Sequence, residues 1–283
     1  MNNKEIDFRK KREVGDIITD SFQFLKQEYQ PVLSLVAIYV MPFLLLYGAA
    51  QVFLQMKVID SIDFTDAESL MANIGPVYTN ILLYSLFGVF VQSLLIGTYY
   101  SYIEVYVKKG KGNFDLSEVK TLLYSNGLLA LGAGVTVYII VLIGIILCII
   151  PGIYFANTLS LTAMIFIFEK RGLGNAVMRS ALMVRFSWWN TFLLNLIGII
   201  IIWVISMFLS LPTMLAGVSQ NILSMEEPVA INYPTWYWVL SGLTSVISSL
   251  LMIILYTFLA FQYFNLDERT KGFFPPVNNT PVK

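Results

Sequence analysis

Charge is confined to short stretches of this chain, and long apolar windows lie between them. No Asp, Glu, Lys or Arg occurs between Glu28 and Lys57, Glu68 and Glu104, Lys120 and Glu169, Arg185 and Glu226, or Glu227 and Asp267. Uncharged apolar windows longer than about 18 residues read as membrane helices, because hydrocarbon cannot hydrogen-bond an exposed backbone. A soluble core has no need of so many. The pattern predicts an all-α fold, a polytopic membrane helical bundle.

The window from 121 to 168 is too long for one crossing. As helix it would extend about 70 Å, against a hydrocarbon core about 30 Å thick. Two crossings fit, with Pro151-Gly152 at the turn, since proline lacks the amide that continues a helix and glycine accepts turn dihedrals. The rival is one span followed by a re-entrant dip. Positive charge separates the two, because basic residues collect on the cytoplasmic side. With six spans and the N-terminus inside, every Lys and Arg except Lys57 is cytoplasmic. A dip would put Lys170, Arg171, Arg179, Arg185, Arg269, Lys271 and Lys283 outside.

The expected spans are therefore Pro31–Leu54, Thr79–Ile103, Leu128–Ile150, Gly152–Phe168, Trp188–Leu211 and Tyr237–Phe264. They form a membrane domain over 31–264, between a cytoplasmic N-terminus (1–30) and a cytoplasmic tail (265–283). Trp188, Trp189, Trp236, Tyr237, Trp238, Tyr99 and Tyr100 fall near span ends, as an aromatic belt does. Pro42 should kink the first span. The first 30 residues mix acids and bases and lack a short apolar core, so no cleavable signal is expected there.

Before each odd-numbered span lies a mixed polar and apolar stretch, read as a cytoplasmic interfacial amphipathic helix. In the first, Val14, Ile17, Ile18, Phe22, Leu25 and Tyr29 share a helical face. In the second, Leu116, Val119, Leu122 and Leu123 do so, and in the third Leu173, Val177, Ala181 and Val184. The first and third also share a Gly-x5-Ser spacing, Gly15 with Ser21 and Gly174 with Ser180. Three units, each an interfacial helix followed by a membrane hairpin, would account for this; so would ordinary amphipathic loops.

Composition sharpens the picture by exclusion. Hydrophobic residues make up 57% of the chain and charged ones 13%, against about 25% charged in soluble domains. The absence of histidine removes His-based acid-base catalysis, Ser-His and Cys-His nucleophiles, and histidine metal ligation. Cys148 stands alone, and no phosphate-binding glycine loop occurs. Asp60, Asp63, Asp66 and Glu68 lack calcium-loop spacing. The reading is of a chain that is not an enzyme, with no cofactor, metal or nucleic acid.

No ionisable side chain falls inside an expected span, although ion-coupled transport usually needs one there. The intramembrane polar positions are milder: Gln92, Asn157 and Asn195 are the candidates for a polar pathway. Ser241, Ser245 and Ser249 make a small-residue ridge suited to close helix approach. At the end of the fourth span, Glu169 meets an unfavourable helix dipole. Gly172 and Gly174 would let the chain turn and bring Arg179 or Arg185 beneath it; a Glu169–Arg179 pair would then set the corner, and charge reversal at both positions should rescue either single reversal. The alternative is a solvated Glu169 beside Lys170 and Arg171.

The same corner carries a resemblance. Pro151-Gly152-Ile153-Tyr154, an apolar span closing on Glu169, then Gly172, Ala176, Arg179-Ser180 and Trp188 or Trp189, resemble a bacterial membrane-domain family. That domain is fused to some glycerophosphoryl diester phosphodiesterases and also occurs in stand-alone inner-membrane proteins. The ending "AFQYFNLDERTKG" is similar as well, whereas Arg185-Phe186-Ser187 departs from the basic-Gly pair found there. The resemblance implies a polytopic domain of the bacterial cytoplasmic membrane and transfers no catalytic residue.

The leading expectation is a non-catalytic membrane scaffold that contacts lipid or a membrane protein partner. Its candidate anionic-lipid contacts are Lys108, Lys109, Lys111, Lys170, Arg171, Arg179 and Arg185, each basic group contributing about 1 kcal/mol near an anionic surface. The alternative is a small-molecule or lipid transporter with a site between hairpins.

Overall fold

A computed structural model describes residues 5–56, 67–170, 172–226 and 233–271, which are helical almost throughout. The order is α1 (Val14–Tyr39), α2 (Met41–Leu54), α3 (Ala67–Lys109), α4 (Leu116–Leu147), α5 (Ile149–Thr158), α6 (Thr162–Glu169), α7 (Leu173–Arg185), α8 (Trp188–Glu226) and α9 (Thr235–Thr270). Among the described residues, five segments are long and apolar enough to cross a membrane, and six if α1 and α2 count as one broken span. This is the architecture of a multi-pass, all-α membrane protein.

Local chemistry explains where helices stop. Pro42 has no amide to continue α1, so the chain breaks at Val40 and restarts with Pro42 in the first turn of α2. α3 closes on Gly110, whose φ of +84° favours glycine, with its N–H on the Tyr106 carbonyl at 2.8 Å. α4 opens at Asp115, whose N–H donates to Glu118 Oε1 at 3.3 Å.

The Pro-Gly pair sits elsewhere than expected. The turn after α4 is made by Cys148, in an extended conformation, and Pro151 lies in the first turn of α5. Helix amides there have no intrahelical partner, so proline costs nothing. Gly152 serves close approach instead: a Cβ on it would lie 2.4 Å from Ile145 Cγ1 and 3.0 Å from the Ile145 nitrogen. The expected fourth span is also interrupted at Leu159–Leu161, between α5 and α6.

The interfacial helices expected before the first and third spans are continuous with them, as α1 and α4; α7 alone is a separate helix. The buried face of α1 is Ile17, Ser21, Phe24, Glu28, Val32, Leu35 and Val36, while Phe22 and Tyr29 are exposed. In α7 the buried side chains are Ala176, Arg179, Ser180, Met183 and Val184. Both faces are thus rotated from the expected ones, because burial here follows the packing partner and not the apolar stripe.

The chain divides into two compact units. The first comprises Met1–Tyr39, Ser93–Ile199 and Ile253–Lys283; the second comprises Val40–Gln92 and Ile200–Met252. In the first, small residues set the helix approach: a Cβ on Gly97 would lie 2.6 Å from Gly127 Cα. In the second, a Cβ on Gly48 would lie 2.8 Å from the Gly242 carbonyl oxygen. Tyr47 stacks on Tyr84 there, and the Ser206 and Ser248 hydroxyls share a hydrogen bond of 2.9 Å.

Candidate functional site: a buried polar network

Three glutamates stand at the edges of expected spans, and the side chains of all three are buried: Glu28 on α1, Glu104 on α3 and Glu169 at the end of α6. A buried carboxylate is costly unless charge and hydrogen bonds compensate it. Each is compensated. Tyr102 donates its hydroxyl to Glu28 Oε2 at 2.6 Å, and the Lys111 ammonium is 3.3 Å from Glu28 Oε1. Glu104 receives the Asn126 amide at 3.0 Å, Lys108 at 2.6 Å and Lys170 at 3.7 Å.

The structure brings Glu169 and Arg179 together. Arg179 donates from Nε to Glu169 Oε1, and its Nη2 donates to Asp267 Oδ1 at 3.0 Å. The Tyr263 hydroxyl donates to the same Glu169 oxygen at 3.2 Å. Arg179 is therefore shared between two carboxylates, which the expected two-residue pair did not include. The turn that permits this is made by Lys170, at a left-handed φ of 49°. Gly172, at φ −53° and ψ 150°, belongs to the same turn but needs no left-handed backbone, and Gly174 lies within α7.

Residues 5–13 complete the network. Phe8 is 2% exposed and sits among Phe24, Tyr106, Phe261 and Phe264, stacking on Phe261 at 4.3 Å. Arg12 is 4% exposed. Its Nε meets Asp20 Oδ2 at 2.7 Å, its Nη1 donates to the Phe8 carbonyl at 2.9 Å, and its guanidinium lies 4.9 Å from the Phe261 ring centre. Its backbone N–H donates to Asn265 Oδ1 at 2.9 Å. Sequence reasoning counted Arg12 only among the cytoplasmic positive charges and overlooked it; the phenylalanine four residues earlier was the available signal.

The other sequence candidates separate cleanly. Among the expected lipid-facing cations, Lys108, Lys109, Lys111, Lys170 and Arg179 each pair with a carboxylate of the chain, Lys109 with Glu118. Arg185 is exposed and makes no ion pair among the described residues, and Arg171 lies outside the described residues. Of the polar intramembrane positions, Asn195 donates to Asn157 Oδ1 at 2.9 Å, and Asn157 donates to the Trp188 carbonyl at 3.2 Å. Gln92, half-buried, belongs to the second unit.

Chemically, the network pairs carboxylates with cations and with hydroxyl and amide donors of the same chain. Among the described residues no group of three His, Cys, Asp or Glu side chains could hold a metal ion. No protein-family model matches the chain, and no curated protein or solved structure matches it.

Proposed function

We propose that this chain is a non-catalytic integral membrane protein of the bacterial inner membrane, related to the phosphodiesterase-associated membrane domains. In this reading both termini are cytoplasmic, and the polar network lies at the cytoplasmic face as a rigid plate that organises anionic lipid or a membrane partner. The observation that carries it is mutual engagement. Glu28, Glu104, Glu169, Arg12, Arg179, Asn157 and Asn195 are engaged with groups of the same chain. Such groups stiffen a structure and are not poised to bind and release a substrate. The Asn157–Asn195 bond also occupies two of the three side chains that a transport pathway would have used.

The test is reconstitution into phosphatidylcholine vesicles with and without phosphatidylglycerol. A donor dye is placed on Asn175→Cys in a Cys148→Ala background, with headgroup-labelled lipid as acceptor. Energy transfer above random mixing for phosphatidylglycerol, but not for phosphatidylcholine, is the expected result. Random-mixing transfer for both lipids would overturn the lipid-organising role.

A further inference from the structure

We propose that the hollow lined by Lys11, Phe186, Ser187, Leu266, Arg269 and Thr270 is a phosphate site for the headgroup of an anionic phospholipid. The inference rests on the lipid-organising reading and gives it an address. The hollow has a volume of about 360 Å³, in the range of small-ligand clefts.

One of its two cations, Lys11, differs from those of the network. Lys11 is exposed and makes no ion pair among the described residues, whereas five of the cations first assigned to lipid are already matched by carboxylates. Arg269 is held in place from behind. Its Nε donates to Asn265 Oδ1 at 3.0 Å, and its Nη2 to the Arg12 carbonyl and Glu13 Oε1, each at 2.7 Å. Its Nη1 makes no hydrogen bond among the described residues, so a pre-positioned donor remains for a phosphate oxygen. The Ser187 hydroxyl adds a second donor that is not used elsewhere among them.

The acids near the hollow have other engagements. Asp267 is shared by Arg179 and Arg9, and Glu268 pairs with Lys271. Glu13, on Arg269, has a side chain 77% exposed, where an ion pair is weak and easily exchanged. Phe186, 62% exposed at the rim, gives the site an apolar lip, which suits an amphiphile better than a free anion. Arg185, the preceding residue, adds a further charge that makes no ion pair among the described residues.

The experiment is native mass spectrometry of the full chain in detergent, titrated with phosphatidylglycerol or phosphatidylcholine. Loss of one cation near an anionic headgroup should weaken the first phosphatidylglycerol adduct about fivefold. Lys11→Gln is expected to do so, and Lys11→Gln with Arg185→Gln to do more. The double variant Lys108→Gln, Lys109→Gln should change it less than twofold, and excess glycerol phosphate should not displace the lipid. Equal losses from the two sets, or none from Lys11→Gln, would overturn the site while leaving general lipid binding intact. Displacement by glycerol phosphate would reassign the hollow to a soluble phosphate and overturn the lipid assignment. Equal retention of both lipids by the unmodified chain would instead remove the lipid-organising reading itself. Because Lys11 makes no ion pair among the described residues, its replacement should leave the thermal midpoint unchanged.

Discussion

Replacing Phe8 by alanine removes the side chain that fastens residues 5–13 to the helices. The ring is 2% exposed and has four aromatic neighbours, with centroids 5.1, 5.8, 4.3 and 5.5 Å away. Truncating a buried Phe costs about 3–5 kcal/mol. At this edge site the low end applies, since the segment can relax toward water. About 3 kcal/mol corresponds to roughly a 150-fold rise in the open fraction, at a factor of ten per 1.4 kcal/mol. The assay is amide hydrogen exchange resolved over residues 5–13. There the Arg12 N–H is held by Asn265 Oδ1 at 2.9 Å and the Ile6 N–H by the Tyr106 hydroxyl at 3.3 Å. If opening is a fast pre-equilibrium, Phe8→Ala should speed exchange at Arg12 by about a hundredfold, up to the unprotected rate. α4 should be unaffected. Phe8→Leu conserves most of the volume and should cost under about 1.5 kcal/mol. Unchanged exchange at Arg12 in Phe8→Ala, or equal acceleration throughout α4, would refute the claim of a locally fastened segment.

Arg179→Leu strands buried Glu169 and should lower stability by about 3–5 kcal/mol, read as a thermal midpoint in detergent. Asp267→Asn should cost less than half as much. Reversing Glu169 and Arg179 together should fail to restore the midpoint, since Asp267 would then face a carboxylate in place of its guanidinium partner. Tyr102→Phe removes the donor to Glu28 and should cost about 1–3 kcal/mol; combined with Glu28→Gln, the total should fall short of the sum. Gly97→Ala should be destabilising by about 1–3 kcal/mol, because the added carbon meets Gly127 backbone. Gly174→Ala, in open space, should stay within about 0.5 kcal/mol.

Much of the fold is legible in the charge pattern, because a membrane helix is defined by what it lacks. The boundaries near Ile103 and Phe168 fall one residue from buried Glu104 and Glu169. Helix faces were not legible. In lipid the surroundings are as apolar as the core, so the hydrophobic stripe does not mark the inside. α4 shows why: Ala130, Ala133 and Gly144 are buried, while Ile139, Ile143 and Ile146 are exposed. Over its part of the expected span, 128–147, small residues and not large ones mark its contacts. The network was half legible, since Glu169 and Arg179 lie at one corner of the chain. Asp267, Tyr263 and Arg12 join it from 88 or more residues away or from a run that resembles surface. The role of Pro151-Gly152 was misread because a proline that ends one helix and a proline that begins the next look alike in sequence.

Single-cysteine labelling in a Cys148→Ala background tests the central claim of six crossings with the polar network inside. Ser117→Cys and Asn175→Cys, both exposed positions, should react with an impermeant maleimide only after the membrane is opened. Met71→Cys and Thr235→Cys should react in intact spheroplasts. Reaction of Asn175→Cys in intact spheroplasts would make Ile149–Glu169 a re-entrant segment and contradict the account.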